Sequence, residues 1–145
     1  LPAIDVRGDI NTADTKLPDD GKLHFSGVTT SNGGDVIGHI PIGENENVTV
    51  KAHVTAKGYD SNLGTHFANY VLTEQFYRAA GGDVTSAEAE ASIVSQESAA
   101  GLDATLGVDT SADTAKITVT GDASDRIVWT ASVEVIRDAE KSYER

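Results

Sequence analysis

The stretch Lys116–Ile136, KITVTGDASDRIVWTASVEVI, limits the possible fold more than any other part of the chain. Its second half sets Ile127, Trp129, Ala131, Val133 and Val135 at every second position, with Val128, Thr130, Ser132 and Glu134 between them. Side chains reverse direction at each residue of a strand, so this apolar stripe describes a strand with one face buried. The first half repeats the pattern on a smaller scale, with Ile117 and Val119 set against Thr118 and Thr120. Between the two runs stand Gly121, Asp122, Ser124 and Asp125, residue types that tolerate or stabilise turns. The two runs therefore read as a β-hairpin, with Ile127, Trp129, Ala131 and Val133 anchoring the core from the second strand.

The same period recurs upstream. In Asn47–Lys57, Val48, Val50, Ala52, Val54 and Ala56 alternate with Thr49, Lys51, His53 and Thr55, which gives a strand with one dry and one wet face. Leu23, Phe25 and Val28 open a short strand, and TTSNGGD at 29–35 is a turn. Val36, Ile37, Ile40 and Ile42 form an apolar patch interrupted by Pro41, which has no N–H for a ladder and so implies an edge strand or a strand end. His66–Arg78 fits helical or strand spacing, and its aromatic and β-branched residues favour a strand. Thr85–Ala100 carries Ala87, Ala89, Ala91 and Ile93 in alternation, and Leu102, Ala104, Leu106 and Val108 alternate again. Seven or eight short strands separated by Gly, Asn, Asp and Ser turns, with no long helix, predict an all-β fold: an antiparallel β-sandwich, jelly-roll-like. The sandwich is expected over residues 23–137. Residues 1–22, with two prolines and five aspartates, read as an extended N-terminal arm whose apolar residues Ile4, Val6, Ile10 and Leu17 would engage a partner, and 138–145 as a charged tail.

Composition removes several classes of function. Eleven basic against 23 acidic residues give a formal net charge of −12, and nucleic-acid binding relies on Lys and Arg displacing counterions, so nucleic acid is not an expected partner. No apolar run approaches the roughly 20 residues of a membrane-spanning helix, so no membrane is expected either. The absence of cysteine excludes disulfides, thiolate metal sites and a thiol nucleophile. There is no methionine, so Leu1 reads as the start of a processed or renumbered chain. His24, His39, His53 and His66 have no carboxylate at a metal-ligand spacing, so a site would require the fold to bring acids to them. Asp122 and Asp125, with Asp60 and Asn62, offer oxygen atoms without the pattern of a helix-flanked calcium loop. There is no GxSxG elbow and no phosphate loop. No catalytic constellation stands out, no cofactor is expected, and a structural or binding role fits better than an enzyme.

Val119-Thr120-Gly121, the polar turn, and the I-x-W-x-A-x-V-x-V run of Ile127, Trp129, Ala131, Val133 and Val135 resemble the ending of β-sandwich domains in tailed-bacteriophage virion structural proteins. The resemblance extends more weakly to Val48–Lys57, Tyr70–Phe76 and Leu102–Val108, about two-thirds of the chain. It implies a virion component and carries over no active-site residues. Within that class the short chain and the arm favour a capsid decoration or cement protein on the virion surface, clamping the major capsid protein or other virion proteins, with homotrimerisation covering sheet edges. The alternatives are a tail-fibre or tailspike module binding the host surface, or a carbohydrate-binding sandwich that would need Tyr59, Tyr70 or Tyr77 as an exposed aromatic platform.

Overall fold

A computed structural model of the chain describes residues 21–58, 66–87, 91–98, 101–123 and 125–139. The arm residues Ile4, Val6, Ile10 and Leu17 lie outside them, as do Tyr59, Asp60, Asn62 and the tail beyond Ala139. The described residues form nine strands and no helix: β1 (Gly21–Thr29), β2 (Gly34–Pro41), β3 (Glu46–Gly58), β4 (Phe67–Arg78), β5 (Thr85–Ser86), β6 (Ala91–Glu97), β7 (Asp103–Asp109), β8 (Thr114–Thr120) and β9 (Ile127–Ala139). Every pairing is antiparallel. A larger sheet runs β1-β9-β3-β4, with β5 and β6 both pairing with β4, and a three-stranded sheet runs β2-β8-β7. The expected all-β sandwich is present, with β1 beginning at Gly21 and β9 reaching Ala139.

The expected hairpin is not. β8 pairs with β2 and β7 in the small sheet, whereas β9 pairs with β1 and β3 in the large one. Alternation fixes which face of each strand is dry but says nothing about its neighbour. Both runs contribute a stripe to one core from opposite sides, and residues 121–126 form a crossover between sheets, which pack about 10 Å apart in a sandwich. Other sequence expectations stand. β2 is an edge strand ending at Pro41. His66–Arg78 supplies a strand, and Leu102–Val108 supplies β7. The alanine-rich segment divides into β5 and β6, and on β6 Ile93, paired with outward-facing Val71, and Val94, paired with inward-facing Tyr70, are 64% and 51% exposed, so neither face of this strand is covered.

Register explains how one tryptophan fills the core. Trp129 lies opposite Gly27 on β1 and Ala56 on β3, and Ala56 opposes Ala68 on β4, so one large side chain shares its row with three small ones. The next row reverses the sizes, with Phe25 and Tyr70 on the outside and Ala131 and Val54 between them. Large against small across facing positions is how such layers reach native density. Ile127, Trp129, Ala131 and Val133 are all buried, and Trp129 stacks on Tyr70 with ring centroids 6.4 Å apart. Between the sheets the fit is reciprocal: a Cβ on Gly38 of β2 would lie 2.5 Å from the Phe25 ring, and one on Gly27 of β1 would lie 2.7 Å from Ile37. The indole N–H of Trp129 donates to Thr29 Oγ1 at 2.9 Å, and both residues are fully buried. Gly121, where the crossover begins, lies against the same threonine so closely that any Cβ would collide with it.

The far end of the sandwich is closed by Arg78. It donates to the carbonyls of Gly82 and Ile42 at 2.8 and 3.2 Å and pairs with Asp113 at 3.3 Å. Asp113 holds a left-handed backbone (φ 56°), which Asp accepts more readily than most residues, and its Oδ1 accepts the N–H of Val84. One buried group stands apart from this satisfied network. Glu74 faces inward between Leu72 and Phe76 and is 7% exposed. Its Oε2 accepts from the Ser86 hydroxyl, while Oε1 is sealed without a partner. Burial pushes this carboxyl above the ordinary glutamate range, against the opposing effect of the Ser86 bond.

Two outcomes follow for stability. Thr29→Val keeps the shape of the side chain but strands the indole N–H, and is expected to cost about 1–3 kcal/mol. In denaturant unfolding, the additional loss on Trp129→Phe should be smaller in the valine background than in the wild type, and equal losses would show that the bond carries no weight. For Glu74 the folded form favours the protonated carboxyl. Its contribution is therefore fully present below the unfolded pKa and is lost as pH rises through the folded value. Glu74→Gln should raise the melting temperature at pH 7.5 by a few degrees, and the gain should shrink toward pH 4. A less stable variant at pH 7.5 would contradict this.

Candidate functional site

The ends of β1, β3, β6 and β8 and the beginnings of β2, β4, β7 and β9 all lie at one end of the sandwich, opposite Gly21 and Ala139. Here topology gathers residues that are remote in sequence. Gly58, the last residue of β3, lies in register with Ile127 of β9, and its N–H donates to the His66 carbonyl at 2.7 Å. His66, just before β4, and Asp125, two residues before β9, therefore flank the same strand end. The crossover from β8 brings Asp122 to the same place. Asp125 Oδ2 lies 2.9 Å from His66 Nδ1, and Asp122 Oδ2 lies 3.4 Å from Nε2. The three side chains are 15% (His66), 30% (Asp122) and 20% (Asp125) exposed. One ligand-type atom from each falls within 4.8 Å of the others, a convergence found nowhere else among the described residues. His66 Nδ1 is sealed from solvent and has no hydrogen-bond partner, so the Asp125 oxygen is near it but out of line for an N–H bond.

A second feature lies on the outward face of the large sheet. β9 contributes only Thr130 and Ser132 to the middle of this face, while Ser132 is opposed by His24 on β1 and His53 on β3. Small side chains on the central strand between larger ones on its neighbours leave a trough of about 310 Å3, lined by these residues with Ser26 and Thr55. Thr55 and Thr130 share a hydrogen bond of 2.7 Å across the strands, and His53 Nε2 bonds Asn69 Oδ1 at 2.5 Å. The trough presents hydroxyls and imidazoles and no carboxylate, a surface suited to hydrogen-bonding a polar partner.

Of the aromatic platforms considered from sequence, Tyr70 is ruled out. It is fully buried, and its hydroxyl donates to Glu97 Oε2 at 2.6 Å; burial, with this bond adding to it, pushes the phenol well above the usual tyrosine range. The strand period turns Tyr70 inward with Leu72. Tyr77 is 43% exposed, and Tyr59 lies outside the described residues. His53 lies on the wet face of β3, and His39 bonds Thr114 at 2.8 Å. The meeting of His66 with Asp122 and Asp125 was missed from sequence because 56 residues separate His66 from Asp122. The signal present was the Asp pair in the GDASD turn, which gains its histidine only through the β9-β3-β4 order.

No protein-family model matches the chain, and no curated protein matches it in sequence. Among solved structures it is similar to the tailspike protein of Acinetobacter baumannii phage AM24, with a TM-score of 0.50 and 6% identity over 84% of this chain and 27% of that one. A second match, with a TM-score of 0.36 and 9% identity, is tailspike protein gp49 from Acinetobacter baumannii bacteriophage Fri1, a capsular polysaccharide depolymerase. It covers 91% of this chain and 24% of that one. The chain thus spans about a quarter of the length of the tailspikes it resembles, and at 6% identity the likeness to the AM24 protein is one of fold.

Proposed function

We propose that this chain is a virion component of a tailed bacteriophage and serves as a tailspike or tail-fibre module that engages the host surface. The observation that carries the reading is the shared fold with part of the AM24 tailspike over 84% of the chain. The open trough on the large sheet supports it, since imidazoles and hydroxyls at His24, Ser26, His53, Thr130 and Ser132 match the hydrogen-bonding groups of a polar surface polymer. A capsid decoration role, favoured by the sequence alone, drew its weight from the short chain and from the arm at residues 1–22, nearly all of it outside the described residues, and ranks second. The reading assigns binding and no catalysis to this chain. Oligomerisation fits either role, because β6 leaves Ile93 and Val94 exposed on an unpaired edge.

Antibody raised against the chain and coupled to gold should label the tails of virions that contain it, and label confined to heads would restore the decoration reading. Fluorescently labelled protein should bind host cells. Ser132→Trp, which fills the trough from the exposed face, should abolish that binding without lowering the melting temperature. Undiminished binding by this variant would remove the trough from the account.

A further inference from the structure

We propose that Asn32, in the bend between β1 and β2, is a site of spontaneous covalent modification that converts through a cyclic imide to aspartate and isoaspartate. The inference does not depend on the virion reading, since it rests on one bend and the chemistry of two adjoining groups. Residues 30–33 lead from the large sheet to the small one at the loop end, and all four are exposed. Among the described residues no backbone hydrogen bond closes this bend. The Gly33 N–H donates only to Ser31 Oγ, at 3.3 Å, which is a long and solvent-exposed bond. The Asn32 side chain makes no hydrogen bond among the described residues. Its carboxamide carbon and the amide nitrogen of Gly33 are therefore neighbours that little holds apart.

The chemistry balances with water as the sole co-reactant. The Gly33 amide nitrogen, once its proton has passed to solvent base, attacks Asn32 Cγ. The new N–Cγ bond closes a five-membered ring, the Cγ–Nδ2 bond breaks, and Nδ2 leaves as ammonia after taking a proton from water. Water then adds to one of the two ring carbonyls and opens it, to aspartate or to isoaspartate, with no change in oxidation state. The attack needs a backbone rotation that a strand ladder forbids and that a Cβ on the following residue obstructs. Gly33 has no Cβ. The other described asparagines are placed differently. Asn47 and Asn69 lie in the interior strands β3 and β4, where Val48 and Tyr70 follow them in paired backbone, and their side chains accept from Gln75 at 2.8 Å and bond His53. Asn45 is followed by Glu46, which has a Cβ. Conversion at Asn32 adds a carboxylate to the loop end, and the isoaspartyl form lengthens the backbone path between the two sheets by one methylene. The altered bend would border the Thr29–Gly121 contact, because the Ser31 carbonyl lies 3.0 Å from where a Cβ on Gly121 would stand.

The test incubates the full folded chain at body temperature and mildly alkaline pH and follows it by peptide mapping with mass spectrometry. The peptide holding Asn32 should gain the mass difference between amide and acid and split into aspartyl and isoaspartyl forms, while those holding Asn45, Asn47 and Asn69 stay unchanged over the same period. Gly33→Val supplies the control. A Cβ there meets only Ser31 Oγ, at 3.7 Å, and Gly33 is not among the residues with a left-handed backbone, so the variant should keep the wild-type circular dichroism and melting temperature. Its conversion at Asn32 should fall severalfold, because a β-branched side chain now obstructs the attacking nitrogen. An unchanged Asn32, equal conversion in folded Gly33→Val, or conversion that begins at Asn47 or Asn69 would each overturn the proposal.

Discussion

The contact among Thr29, Gly121 and Trp129 is the constraint on which the rest of the structure depends. Trp129 is the largest side chain in the core, and its indole N–H needs an acceptor once water is excluded. Thr29 at the end of β1 provides one, and Gly121 at the end of β8 leaves the space the threonine occupies. The end of β1 is thereby locked to both ends of the crossover at one point where the two sheets meet. A side chain at 121, or an apolar residue at 29, would disturb the crossover and the packing of the tryptophan together.

That junction sets the asymmetry of the molecule. With β9 committed to the large sheet, only β2, β8 and β7 remain to cover it. The core is concentrated under β1, β9, β3 and β4, and β6 projects past it with both faces in solvent. The opposite face of the large sheet stays open, with the small side chains of Thr130 and Ser132 at its centre. The same crossover, pinned at Gly121, delivers Asp122 and Asp125 to His66. The open face and the pairing of His66 with Asp122 and Asp125 at the loop end are therefore consequences of one topological choice.

Much of this was legible in the sequence. The stripes in β3 and β9 state which residues are buried, and Val48 to Ala56 and Ile127 to Val135 turn inward as their period requires. Pro41 marks the end of an edge strand for the reason that proline has no N–H to give. Strand partners were not legible, since a period-two pattern looks the same whether the next strand lies beside it or across the core. Polar–apolar alternation also misses Glu74, which occupies an inward position where Ser86, standing opposite the next inward residue, Phe76, can reach it. The His66 cluster was hidden for the same reason, being a product of pairing and not of spacing.

The central claim is that the chain changes sheets between Gly121 and Arg126. Cross-strand nuclear Overhauser effects test it most directly. The account requires backbone contacts from Trp129 to Gly27 on one side and to Ala56 on the other. Contacts from Trp129 to Thr118, the partner it would have in a hairpin closed over residues 121–126, would contradict it and would separate the aspartates from His66.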